Sequence, residues 1–130
     1  TVPVLDENNK PVINKVTGWP DSFFYDIDLA ISIISPELIA WCPDAFTPES
    51  QRKIEALEGI EKIEVSLEEA IEGFACNLVS NGDTVVMSNH APDLKEAIES
   101  YGIKTITPRI TELAKGGGYI RCTTLTLDNE

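Results

Sequence analysis

The chain has 130 residues, a formal charge of −12 and an apolar content of 42%, enough for one buried core and far from the composition of a disordered segment. The acidic balance excludes a nucleic-acid surface, which needs clustered Lys and Arg to displace phosphate counterions, and it favours a small cationic ligand. No apolar run approaches the roughly 20 residues of a membrane span and no basic-then-apolar leader opens the chain, so no membrane partner and a cytoplasmic location are expected.

Pro3, Pro11, Gly18 and Pro20 punctuate a loop-like segment over residues 1–22. Leu29 to Ile34 then has the unbroken apolar character of a buried strand, Ser35-Pro36-Glu37 is a turn, and Leu38 to Cys42 reads as the returning strand. Thr47-Pro48-Glu49-Ser50 opens a helix: a capping hydroxyl, a proline in the first turn and an acid against the dipole. Gly59 stops it, Ile60 to Val65 supplies a strand, and Leu67 to Gly73 a short helix. The order then recurs at an offset of about 45 residues, a period that marks repeat architectures. Asn77 to Ser80 and Thr84 to Ser88 flank the turn Asn81-Gly82-Asp83, and Pro92-Asp93 opens a helix whose Leu94, Ala97, Ile98 and Tyr101 share one face. Gly102 ends that helix, Ile103 to Thr107 is a strand and Thr111 to Ala114 a helical turn. After Gly116-Gly117-Gly118, a third hairpin is predicted from Arg121 to Leu127.

The fold class is therefore α/β, with two to three hairpin-helix-strand units over residues 23–130. Units of this kind need neighbours to cover their faces, so further repeats upstream, or another chain, are expected as partners.

Three cysteines, Cys42, Cys76 and Cys122, are odd in number and widely spaced, and His90 is the single histidine. That pattern argues against a disulfide framework and against a zinc site, and no cofactor or metal is expected. Cys42 and Cys76 lie among apolar residues and read as packing. Cys122 reads either as a small core residue or as a thiol placed by the glycines that precede it. His90 sits in a strand-to-helix loop, where it is either a plain loop residue or an acid-base group.

Three stretches carry a resemblance: Asp26 to Ile34, Asn77 to Met87, and Gly116 to Cys122. Together they resemble the C-terminal part of the amidinotransferase and dimethylarginine dimethylaminohydrolase superfamily, the guanidino-modifying pentein fold. The resemblance implies an α/β propeller built from such units around a central site. It makes Cys122 the nucleophile that attacks the guanidinium carbon of an arginine-like substrate. A covalent amidino-cysteine results, resolved by water in a hydrolase or by an acceptor amine in a transferase. Asp28 falls on the family's carboxylate position, and Asp26 stands where the family places its histidine proton shuttle. Asp26 is then the expected proton-transfer residue and Asp28 a substrate-binding one, both aimed to one side of a strand by two-residue alternation. Gly117 and Gly118 are expected to let the backbone approach the planar substrate, and Arg121 to point away from it. His90 is the alternative proton shuttle. Two further readings follow from Asp26 and from the short chain: a non-catalytic binding or assembly module of the same fold, and one chain of a split enzyme.

Overall fold

The computed structural model describes residues 1–127, so the last three positions of the expected 23–130 unit lie outside the described residues. Two three-stranded sheets carry the fold. In the first, β1 (Ile31–Ser35) pairs antiparallel with β2 (Leu38–Trp41), which pairs parallel with β3 (Glu61–Glu64). The parallel return requires a crossover, and α1 (Pro48–Glu55) supplies it. The second sheet repeats the arrangement with β4 (Val79–Ser80), β5 (Thr84–Val86) and β6 (Lys104–Ile106), crossed by α3 (Pro92–Ser100). Neither sheet closes on itself. The two meet where the Ser80 hydroxyl donates to the Ile34 carbonyl at 2.6 Å.

Burial explains the sheet order. Every residue of β2 is buried, as expected for a central strand covered on both faces, whereas β1 leaves Ile33 73% exposed at the open edge. The core joins Trp41 and Ile34 of the first sheet to Val85, Met87, Leu94 and Ile98 of the second half. At roughly 1.5–3 kcal/mol for each large apolar side chain removed from water, this cluster dominates the favourable side of folding.

The helix starts follow capping chemistry. Thr47 caps α1 and Ser66 caps α2 (Leu67–Glu72), each accepting from the backbone N–H three residues on. The N-cap of α3, Ala91, has no such side chain. Glu69 of α2 supplies the deficit: its carboxylate accepts from Asp93 N at 2.8 Å and Leu94 N at 3.1 Å, so a nearly buried charge is matched to the positive end of α3.

Two sequence expectations need correction. Asp26 to Ala30 is not strand: Ile27–Leu29 forms a 3-10 turn, with Leu29 N bonding Asp26 O and Ala30 N bonding Ile27 O. Burial of Leu29 and Ala30 against the core fixes this turn. The third hairpin is also absent over 121–127, where Arg121–Thr123 forms another 3-10 turn. Its donors and acceptors are taken locally: Thr123 and Thr124 hydroxyls donate to the carbonyls of Tyr119 and Ile120, which competes with a strand ladder. Residues 1–22 hold only two isolated bridges, Leu5 to Pro11 and Ile13 to Pro20, and are tied down by Val2 N bonding Ala45 O. No described helix is long and apolar enough to cross a membrane.

Candidate active site

Three segments converge on Cys122. The first is the turn from Tyr25 to Leu29. The second is the approach to β4, where Phe74 adopts φ 50°, a conformation uncommon for a bulky residue, and Asn77 N bonds back to Phe74 O. That reversal drives Asn77 into the interior, where it is fully buried. The third is the glycine turn. Its anchor is Tyr119, buried and stacked on Phe74 at 5.8 Å, with its hydroxyl donating to Ile110 O at 3.0 Å. Ile120 is buried beside it, and the chain then turns so that Cys122 is exposed.

The glycines have separate physical roles. Gly117 takes φ +82° as the left-handed residue after the 3-10 turn Leu113–Gly116, and Tyr25 Oη donates to its carbonyl. Gly118 is pressed against the nucleophile candidate: a Cβ there would lie 3.1 Å from Cys122 Cβ and 3.4 Å from its Sγ.

Asn77 is the hub. Its Nδ2 reaches Cys122 Sγ at 3.3 Å and Asp28 Oδ1 at 3.2 Å. Its Oδ1 accepts from Arg121 N at 3.0 Å and Cys122 N at 3.5 Å. Cys122 and Asp28, 94 residues apart by subtraction of their numbers, are thus joined through one amide. Asp28 also lines a cleft of about 210 Å³ with Ile31, Ser32, Leu78, Ser80 and Arg121. Arg121 therefore belongs to the rim of the site rather than to an opposite strand face, because the segment is helical and alternation does not apply.

The electrostatics are those of crowded negative charge. Partial burial pushes the Asp28 carboxyl above the usual carboxylate range and the Asp26 charge adds to this, while the Arg121 guanidinium and the Asn77 hydrogen bond oppose it. The Tyr25 phenol is raised, first by desolvation and then by the negative charges of Cys122, Asp26 and Asp28. Tyr25 and Asp28 therefore both sense the negative charge gathered at this site. Asp26 is exposed and Asp28 half-buried.

His90 lies elsewhere, in a cleft of about 530 Å³ with Glu68, Glu69, Glu72 and Asp93 that shares no lining residue with the cleft at Asp28. Cys42 and Cys76 are buried, and burial pushes both thiols up, Cys76 far beyond the ordinary range. Sequence reasoning missed Asn77 and Tyr25. The available signal was an amide at the head of the apolar run Asn77-Leu78-Val79, since a polar side chain entering a core must find partners there.

Three comparisons bear on this arrangement. The family profile for N,N dimethylarginine dimethylhydrolase, eukaryotic, matches residues 22–128. The N(G),N(G)-dimethylarginine dimethylaminohydrolase of Mycobacterium tuberculosis is 32% identical over 129 residues, covering 94% of this chain and 42% of that protein. The N-terminal domain of ArgZ, an arginine dihydrolase from the ornithine-ammonia cycle in cyanobacteria, was solved bound to product. It superposes with a TM-score of 0.73 at 33% identity, covering 81% of this chain and 38% of that one. A variant of the same domain, covalently bound to a reaction intermediate, gives a TM-score of 0.71 at 32% identity over 78% of this chain and 38% of that one. The chain thus spans less than half the length of these relatives.

Proposed function

The chain belongs to the dimethylarginine dimethylaminohydrolase family, and from that premise we propose that it modifies the guanidino group of an arginine-like substrate, with Cys122 as nucleophile. One observation carries the reading: the exposed Cys122 sulfur is joined through Asn77 to Asp28, beside Asp26, in a chain of charge −12. A flat cation suits that setting, and its charge beside the sulfur favours the thiolate over the thiol.

In the proposed reaction the Cys122 thiolate adds to the guanidinium carbon, forming a C–S bond and a neutral tetrahedral adduct. The C–N bond to the leaving amine then breaks as that nitrogen takes a proton from a carboxyl, leaving a cationic amidino-cysteine and a carboxylate. Water adds to the amidino carbon while the carboxylate takes back a proton. The C–S bond breaks, releasing a urea-type product and the thiolate, and the surplus proton leaves with the amine. Asp28 holds the N–H edge of the cation, and Asp26, in the place of the family histidine, carries the proton. The covalent relative supports the cysteine adduct, and the family favours water over an acceptor amine in the second half.

Residues 1–22 are assigned as a loop-like lead-in and 23–130 as a partial pentein domain of two to three propeller units. The repeated strand order of the two sheets supports this, and the remaining units come from upstream sequence or another chain. Three free cysteines support a cytoplasmic setting.

The test is intact-mass measurement after rapid quenching with arginine or dimethylarginine. We expect an amidino adduct that Cys122→Ser abolishes; absence of adduct and turnover in the complete assembly would overturn the reading. The Asp26 substitution favours one alternative, a module that binds the cation without processing it. Calorimetric binding that persists in Cys122→Ser, with no adduct in the parent, would select that alternative.

A further inference from the structure

A buried asparagine has two faces, and at position 77 they do different work. The Oδ1 face accepts backbone N–H groups of Arg121 and Cys122 at 3.0 and 3.5 Å, which holds the turn. Those two donors also fix the orientation of the amide: turned over, its NH₂ would face two N–H groups with no acceptor. The Nδ2 face must therefore point at Cys122 Sγ and Asp28 Oδ1, at 3.3 and 3.2 Å, with one hydrogen for each. An amide N–H only donates, so it stabilises whichever form of its partner is the better acceptor. For sulfur that is the thiolate, and for the carboxyl it is the carboxylate. At 0% exposure no water competes for these donors.

We propose that Asn77 is the positioning residue that sets the reactivity of Cys122, donating one amide hydrogen to its sulfur and the other to Asp28. The proposal rests on the reading of Cys122 as nucleophile. Asn77 acts through Cys122, which attacks the carbon, and Asp28, which holds the cation.

The experiment measures alkylation of the folded full chain by iodoacetamide across neutral and alkaline pH, with intact mass as readout. Burial of Cys42 and Cys76 makes the first adduct report Cys122. Asn77→Asp keeps the acceptor that holds the turn but removes both donors; Asn77→Ser removes them without adding charge. In both variants we expect alkylation at neutral pH to slow by about tenfold, with the rate profile displaced to higher pH. A purely structural role predicts a lower melting temperature with an unmoved profile. Either variant, melting cooperatively and alkylated with the parent profile, would overturn the proposal. If one variant fails to fold, the other decides. Failure of guanidino turnover would leave this result untouched, so the two readings fall separately.

Discussion

Gly118→Ala separates the role of the glycine run from that of the fold. An added Cβ would stand 3.1 Å from Cys122 Cβ and 3.4 Å from Sγ, whereas unstrained carbon contacts settle at about 3.5–4.0 Å. The Cys122 turn must therefore recede by about half an ångström. A shift of that size away from Asn77 would stretch and weaken the 3.3 Å contact from Nδ2 to Sγ. Crowding of this kind costs roughly 1–3 kcal/mol, and the lost chain freedom of the unfolded state returns about 0.4–1 kcal/mol, because φ at 118 is not in the left-handed region. The melting temperature should fall only modestly, while weakening of the Asn77 donor should slow alkylation of Cys122 by up to about tenfold. Neighbouring glycines supply controls. Gly116→Ala meets nothing within 4 Å, so it should raise the melting temperature slightly through the same loss of unfolded-state freedom and leave the alkylation rate unchanged. Gly117→Ala forces a side chain into φ +82° and toward Tyr25 Oη at 3.2 Å, costing about 1–2 kcal/mol. Calorimetry and timed alkylation with intact mass measure both effects. Gly118→Ala that alkylates at the parent rate would refute the close-approach argument.

Glu69→Ala removes both acceptors at the start of α3 and should cost about 1–2 kcal/mol, read as a melting temperature lower by several degrees; an unchanged value would mean water satisfies those donors equally well. Asp28→Asn should be more stable than the parent at neutral pH. The folded state raises the carboxyl above its ordinary 3.8, so it binds protons more tightly than the unfolded chain, and stability falls as pH rises from about 3.8 through the raised value. Melting curves should therefore converge for the two proteins under acid conditions and diverge above; the opposite trend would sink the assignment of burial as the leading cause. On the proposal that Asp26 carries the proton, Asp26→His should increase adduct turnover in the complete assembly, measured by urea-product release. A slower variant would show that the aspartate is matched to this site.

Most of the fold was legible because its signals are local. Thr47-Pro48 declared a helix start by its capping hydroxyl, and the continuous apolar run Leu38 to Trp41 matched a strand covered on both sides. The start of α3 was placed from Pro92, but the group that caps it, Glu69, is a tertiary partner that no local window contains. Two segments expected as strand, one from the resemblance and one from the repeat, proved to be 3-10 turns, and both failures have the same origin. At Asp26 to Ala30 the outcome was decided by burial of Leu29 and Ala30, and at Arg121 to Thr123 by the distant Asn77 and the threonine hydroxyls. Cys122, Asp26 and Asp28 were legible as residues because a pattern of types marks them. Asn77 was not, since its role exists only once segments 45 and 49 residues apart in sequence have met.

Those separations make the contacts of the Cys122 sulfur depend on complete folding. Asn77 and Asp28 are both far from the thiol along the chain, so an immature or partly opened molecule carries Cys122 without its amide contact and away from Asp26 and Asp28. The stack of Tyr119 on Phe74 ties the Cys122 turn to the segment that carries Asn77, so the contact to the sulfur lasts only as long as that packing does.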